Sequence, residues 1–163
     1  MLIVIRGTSG SGKSTLAAQL QQKLGWPTAG LGQEHLRRTV YRKRQDAGHA
    51  DGMEHAALLE VAATHCFAVG HDVALEGIFQ ADRYSTMRER LASPADDARF
   101  YAFDLSFGET ARRHERRPKA SEVSSVQMRQ WYLGWDPLPF VAERRILPGE
   151  ESSVVVQRLL GSR

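Results

Sequence analysis

Leu2-Ile3-Val4-Ile5-Arg6-Gly7-Thr8-Ser9-Gly10-Ser11-Gly12-Lys13-Ser14-Thr15 is the stretch on which the fold turns. Four apolar residues in succession, Leu2 to Ile5, predict a short strand over residues 2 to 6, buried on both faces. Residues 7 to 12 form a glycine-rich turn. Leu16, Ala17, Leu20 and Leu24 then recur at helical spacing from Lys13, and Gly25 ends that helix. Between strand and helix, Gly7 to Ser14 fits G-x-x-x-x-G-K-[ST] at every fixed position. The chemistry of that pattern needs these residue types. The turn aims several backbone N–H groups at one anion, and glycine permits the close approach. The helix starting at Lys13 adds its positive dipole end. Lys13 supplies a mobile charge for outer phosphates, Ser14 a hydroxyl for Mg²⁺ and Thr15 one for an inner phosphate. The stretch therefore predicts a site for a nucleoside triphosphate with its magnesium.

Beyond this stretch, strand and helix patterns alternate. Residues 27 to 32 read as a second strand of poor propensity, and 34 to 45 as a polar, basic helix. Residues 53 to 69 read as a helix stopped by Gly70, and 72 to 75 as a third strand ending at Glu76-Gly77. A helix over 82 to 91 closes at Ser93-Pro94, and 100 to 105 form a fourth strand. Helices over 108 to 117 and 122 to 133 come next, broken by Pro118 and by Gly134, Pro137 and Pro139. Residues 144 to 147 are the fifth strand. Ser152 or Ser153 caps a last helix through Leu160, although Val154-Val155-Val156 also suits a strand. The alternation predicts an α/β fold, a parallel sheet covered by helices on both faces. Ligands in such sheets sit beyond the carboxyl ends of the strands. That rule selects Gly7 onward, Gln33-Glu34, Glu76-Gly77 and Ser106 onward.

Composition sets the bounds. A chain of 163 residues with 42% hydrophobic and 25% charged residues is one globular domain, 1 to 163, and is not wholly disordered. No apolar run is long enough to span a bilayer, and the opening run has the wrong flanks for a signal peptide. The one cysteine, Cys66, excludes an internal disulfide framework and a cysteine-based zinc site, and its apolar helical context predicts core. The expected location is the cytoplasm, with no membrane contact. Twenty-two basic residues, four Lys and eighteen Arg, face nineteen acids, giving a formal charge of +3. A surplus of three is too small to indicate a nucleic-acid binder by itself. The basic residues cluster over 37 to 44 and over 112 to 119, both candidates for holding phosphate. The six histidines show no metal-ligand spacing. Trp131, Tyr132 and Trp135 are core or an aromatic wall for a ring, with Trp131 expected in the core.

The Gly7–Ser14 loop, together with the residues after it, resembles the P-loop kinases. It resembles the branch holding chloramphenicol phosphotransferase, zeta toxins and the kinase domain of phage polynucleotide kinase, and within it the small bacterial AAA-type kinases. The resemblance implies a three-layer P-loop fold with five parallel strands in order 2-3-1-4-5 and a helical lid within about 110 to 135. It implies ATP and Mg²⁺ as cofactors, held by Gly7, Ser9, Gly10, Ser11, Gly12, Lys13, Ser14 and Thr15, with Ser14 on the metal. Relatives place an acid, usually Asp, at the end of strand two as general base. Here that place reads Gly32-Gln33-Glu34-His35-Leu36-Arg37, so Glu34 takes the role and His35 competes for it. Arg37 resembles the arginine that holds a substrate phosphate in the polynucleotide kinase. Glu76, in Val73-Ala74-Leu75-Glu76-Gly77, resembles the acid at a strand tip that holds a magnesium water or binds the acceptor. Arg113-His114-Glu115-Arg116-Arg117 resembles the lid, whose arginines stand at i and i+4 on one helix face. Arg117 then stabilises the phosphoryl group in flight and Arg113 holds the nucleotide, with Arg112 and Arg116 as alternates. The expected activity is transfer of a γ-phosphoryl group to a hydroxyl of a small molecule. A polynucleotide 5′-hydroxyl kinase and a nucleotide-hydrolysing switch are the alternatives.

Overall fold

The computed structural model describes residues 1–42, 53–116 and 123–161. Strand β1 (Leu2–Arg6) is buried at every position. Successive residues of a strand point to opposite faces, so each face of β1 needs its own cover. Leu2 and Val4 pack with Leu59, Ala63, Tyr84 and Leu91, from helices α3 (Glu54–Ala68) and α4 (Ala81–Ala92). Ile3 and Ile5 pack on the other side with Leu16, Ala17 and Leu20 of α1 (Lys13–Leu24) and Val155, Val156 and Leu159 of α7 (Ser152–Gly161). Each fully buried Leu or Ile contributes about 1.5–3 kcal/mol relative to exposure. The result is three layers, helix–sheet–helix.

The sheet runs β2 (Thr28–Gly32), β3 (Asp72–Gly77), β1, β4 (Ala98–Phe103), β5 (Arg144–Ile146), all parallel. This is the expected order 2-3-1-4-5. Register brings Gly32 and Ile5 alongside Glu76, and Arg6 alongside Gly77. The carboxyl ends of the three adjoining strands thus finish together.

Several element bounds differ from the sequence reading, each for a local reason. The helix read over 34 to 45 is a turn of α-helix, α2 (Gln33–His35), continued by a π-helical turn (Leu36–Val40) in which Tyr41 N–H reaches the Leu36 carbonyl at 3.0 Å. Residues 43–45 lie outside the described residues. Strand β4 begins two residues earlier than expected and β3 runs on through Gly77. The helix read over 122 to 133 is α6 (Ser125–Trp131), because Ser124 and Gln127 form a reciprocal capping box at its start. The preceding helix is α5 (Phe107–Glu115), capped by Ser106, whose hydroxyl accepts from Glu109 N–H at 3.2 Å. Val154–Val156 is helical, within α7, which begins at Ser152. No helix among the described residues is long and apolar enough to cross a membrane.

Candidate active site

The loop from β1 into α1 has the shape its glycines permit. Gly10 and Gly12 sit at φ 85° and 103°, the left-handed region that side chains rarely adopt. A Cβ on Gly10 would stand 2.7 Å from the Thr110 carbonyl of α5, and one on Gly7 would collide with Ser11 Oγ. The loop is therefore pressed between its own turn and α5. No acid occupies the first turn of α1, so its dipole end is left for a ligand. Lys13 Nζ lies across the loop, 3.4 Å from the Thr8 carbonyl. Ser11 is fully buried, and its hydroxyl has no hydrogen-bond partner among the described residues. A buried donor without a partner beside a ring of backbone amides fits an anion oxygen.

Parity along β3 places Glu76. Ala74 belongs to the α1 face and Val73 and Leu75 to the other, so Glu76 returns to the α1 face. There Ser14 Oγ donates to Glu76 Oε1 at 3.1 Å. Gly32 leaves the room: a Cβ there would meet the same oxygen at 2.8 Å. Glu76 is 8% exposed, and its Oε2 has no hydrogen-bond partner among the described residues. A hydroxyl and a carboxylate with an open oxygen form a hard donor set, which suits Mg²⁺. Magnesium takes few protein ligands and keeps waters and phosphate oxygens, so no larger acidic cluster is needed. Among the described residues there is no group of three or more His, Cys, Asp or Glu that would make a protein cage.

Glu34 lies just past the tip of β2, half-buried, with its carboxylate paired to Arg38 Nε and, at 3.4 Å, to Arg37 Nη1. His35 is exposed and contacts Thr39 Oγ1 at 3.4 Å. Between the two acidic tips stands Gln33, 7% exposed. Its Oε1 accepts from Ile78 N–H at 2.8 Å and its Nε2 donates to Tyr84 Oη at 2.7 Å. Tyr84 Oη in turn meets His55 Nε2 at 2.7 Å. This amide ties the end of β2 to the loop after β3.

Of the arginines expected in a lid, Arg113 reaches the glycine-rich loop, with Nη1 donating to the Ser11 carbonyl at 2.9 Å and Nε to Glu109 at 2.7 Å. That hydrogen bond from Arg113 holds the Glu109 carboxyl below its ordinary range. Arg112 and Arg116 are exposed, and Arg112 pairs with Glu109. Arg117 lies outside the described residues. His114 is buried under the loop and bonds the Val123 carbonyl at 2.9 Å, joining α5 to the start of the segment before α6.

Sequence reasoning missed a buried charge cluster under the same strand ends. Arg6, 4% exposed, donates to Glu143 Oε1 at 2.7 Å and Oε2 at 3.0 Å, to the Phe79 carbonyl at 2.7 Å and to the Asp136 carbonyl. Arg88, fully buried, donates to the same Phe79 carbonyl at 2.7 Å. Desolvation, and then the neighbouring Arg6 charge, lower the Arg88 pKa to about 9. Phe79 itself takes φ 42°. Asp136 Oδ2 accepts from Ala81 N–H at 2.7 Å and so caps α4. Nothing in the local pattern around Arg6 marks it as buried. Trp131, expected in the core, is half-buried and lines a recess with Trp135 beside Thr8. It belongs to the wall, because α6 ends there and its apolar anchor in the core is Met128.

A family model described as "AAA domain" matches residues 2–133. Among solved structures, the chain is similar to the APS kinase CysC of Mycobacterium tuberculosis in complex with AMPPNP and APS (22% identity, TM-score 0.72, covering 98% of this chain and 95% of that one). It is similar to a gluconokinase from Sinorhizobium meliloti 1021 (20%, 0.69, 98% and 89%) and to shikimate kinase from Acinetobacter baumannii with shikimate (18%, 0.67, 99% and 94%). At these identities the likeness establishes the fold. None of the curated proteins matches the chain.

Proposed function

This chain belongs to the AAA domain family through residues 2–133, and from that premise we propose that it is a P-loop kinase moving the γ-phosphoryl group of ATP to a hydroxyl of a small molecule. Its structural neighbours are kinases of small molecules by their names, gluconokinase, APS kinase and shikimate kinase. The observation that carries the reading is Ser14 bonded to Glu76 at 3.1 Å directly beside an amide-lined loop whose buried Ser11 hydroxyl lacks a partner among the described residues. On the sequence at Glu34, Arg37, Glu76 and Arg113 we place it in the branch of chloramphenicol phosphotransferase, zeta toxins and polynucleotide kinase. The whole chain acts as one kinase domain, with the lid within about 110 to 135.

In this reading Gly7, Ser9, Gly10, Ser11 and Gly12 present amides to the β- and γ-phosphates, and Thr15 reaches the inner phosphate. Lys13 swings from the Thr8 carbonyl to the outer phosphates. Ser14 and Glu76 hold the magnesium, which when bound neutralises charge on the phosphate oxygens. Glu34 takes the acceptor's proton as the acceptor oxygen bonds to phosphorus and the bond to the β-phosphate oxygen breaks. Arg37 and Arg38 pair with that carboxylate at the mouth between the tips of β2 and β3, where Arg37 also meets the acceptor. Arg113 braces the loop, and Arg117 brings a second positive charge from the lid. Closure of the lid excludes water, which would otherwise take the phosphoryl group.

Titration of the purified chain with ATP and Mg²⁺, followed by ADP release in the presence of candidate hydroxyl acceptors, tests this. Magnesium-dependent ATP affinity and acceptor-stimulated ADP release are expected. Absence of affinity for every nucleoside triphosphate with magnesium present overturns it.

A further inference from the structure

Resting on the kinase reading above, we propose that Gln33 is a positioning residue for the magnesium site, its side-chain amide fixing the end of β3 that carries Glu76. The sheet's own hydrogen bonds stop short of that task. On the β2 side the ladder ends where Gly32 pairs with Glu76, and on the β1 side where Arg6 pairs with Gly77. Past those pairs, Gly7 N–H reaches the Gly77 carbonyl at 3.3 Å, a long contact. On the β2 side the Gln33 amide takes over where the ladder stops, its Oε1 accepting from Ile78 N–H at 2.8 Å.

Chemistry fixes which way the amide faces. A backbone N–H can only donate, so the oxygen faces Ile78 and Nε2 is left to donate to Tyr84 Oη at 2.7 Å. Tyr84 Oη also meets His55 Nε2 at 2.7 Å. Gln33, Tyr84 and His55 are all buried, and they come from α2, α4 and α3. One amide thus ties the strand end to two helices of the layer that covers Leu2 and Val4. Buried polar groups are costly to leave without partners, so the network holds one geometry.

Two glycines let these groups approach. A Cβ on Gly77 would stand 2.7 Å from Gln33 Oε1 and 2.8 Å from Gln33 Cβ, and one on Gly32 would meet Glu76 Oε1 at 2.8 Å. The Glu76 carboxylate therefore lies between the Gly32 backbone and Ser14 Oγ, on a strand end that Gln33 grips at the next two residues. Magnesium demands near-ideal octahedral geometry, so a carboxylate that shifts loses affinity for it. Groups that orient a metal ligand without touching the metal are worth about 10–100-fold in affinity.

Calorimetry with AMPPNP over a series of Mg²⁺ concentrations, and in EDTA, tests this without an acceptor. Gln33→Leu, of similar bulk but without either hydrogen bond, is expected to raise the magnesium concentration for half-maximal enhancement of binding by ~10-fold or more. Its affinity in EDTA is expected to stay near that of the parent. Tyr84→Phe keeps the Ile78 bond and loses only the anchor, so a smaller shift in the same direction is expected. In a Glu76→Gln background, Gln33→Leu should add less than ~2-fold, because the carboxylate it positions is gone. An equal loss of affinity in EDTA, or the same shift in the Glu76→Gln background, marks a merely structural role and overturns the proposal. So does unchanged magnesium dependence in Gln33→Leu, or in Tyr84→Phe if Gln33→Leu does not fold. A parent that binds no AMPPNP overturns the kinase reading instead. Unchanged magnesium dependence in Glu76→Gln overturns the placing of the metal at Glu76, and the proposal with it.

Discussion

Ser14 at the head of α1 and Glu76 at the end of β3 are joined by a hydrogen bond of 3.1 Å, although 62 residues separate them. The bond sets a hydroxyl and a carboxylate side by side at the mouth of the phosphate loop, and one carboxylate oxygen stays open among the described residues. Glu76→Gln keeps the length and the hydrogen bond but removes the charge a divalent cation needs. Its apparent magnesium affinity in ADP release should fall by ~10–100-fold, while nucleotide binding measured without magnesium stays close to that of the parent. Unchanged magnesium dependence would assign Glu76 to the acceptor instead.

Lys13 carries the only ammonium within the loop stretch, residues 7–15. Lys13→Ala should cut transfer by ~10²–10³-fold or more. Near-normal turnover would contradict the scheme.

In the proposed transfer Glu34 is the base and His35 its competitor, and the two stand in different environments. Glu34 is ion-paired to Arg37 and Arg38, whereas His35 is exposed. Glu34→Gln should slow turnover by ~10²-fold or more with ATP affinity retained, and His35→Ala should leave turnover within a few-fold. The reverse pattern moves the base by one residue.

Gly10 tests the loop's packing. Gly10→Ala strains a left-handed backbone and sets a methyl 2.7 Å from the Thr110 carbonyl. A loss of about 1–3 kcal/mol is expected, seen as a melting temperature lower by about 2–4 °C per kcal/mol.

The Glu109–Arg113 pair gives a pH dependence. The hydrogen bond from Arg113 lowers the Glu109 pKa in the folded state below its ordinary value of 4.5. A depressed carboxylate contributes stability above the unfolded pKa and loses it as pH falls through the folded one. The melting temperature of the wild type should therefore exceed that of Glu109→Gln at pH 6, and the gap should close as pH drops below 4.5. A gap that is constant from pH 6 to 3 would mean the pair contributes nothing through charge.

Much of this architecture is set by local rules, and local rules are legible in a sequence. Leu2 to Ile5 make a central strand because a run apolar at every position has two faces to cover. Gly10 and Gly12 make the loop because that turn needs positive φ. The four strand ends picked out as ligand positions include Glu34 and Glu76, and counting alternate residues along β3 already turns Glu76 toward α1. The π-helical turn at Leu36–Val40 and the capping box at Ser124 shift boundaries by a few residues, since they depend on which hydrogen bond one side chain or carbonyl selects.

Tertiary structure alone decided the wall around the site. Arg6 reads in the sequence as the polar end of a strand, yet it is buried because Glu143, 137 residues on, returns beneath it. Asp136 caps α4 from 55 residues away, and Gln33 finds Tyr84 across 51. Each of these partners satisfies a buried polar group, and its position depends on how the whole chain closes. Periodicity and turn chemistry act between near neighbours and can be read in order; the pairing of distant polar groups has no such period and exists only once the strands are side by side.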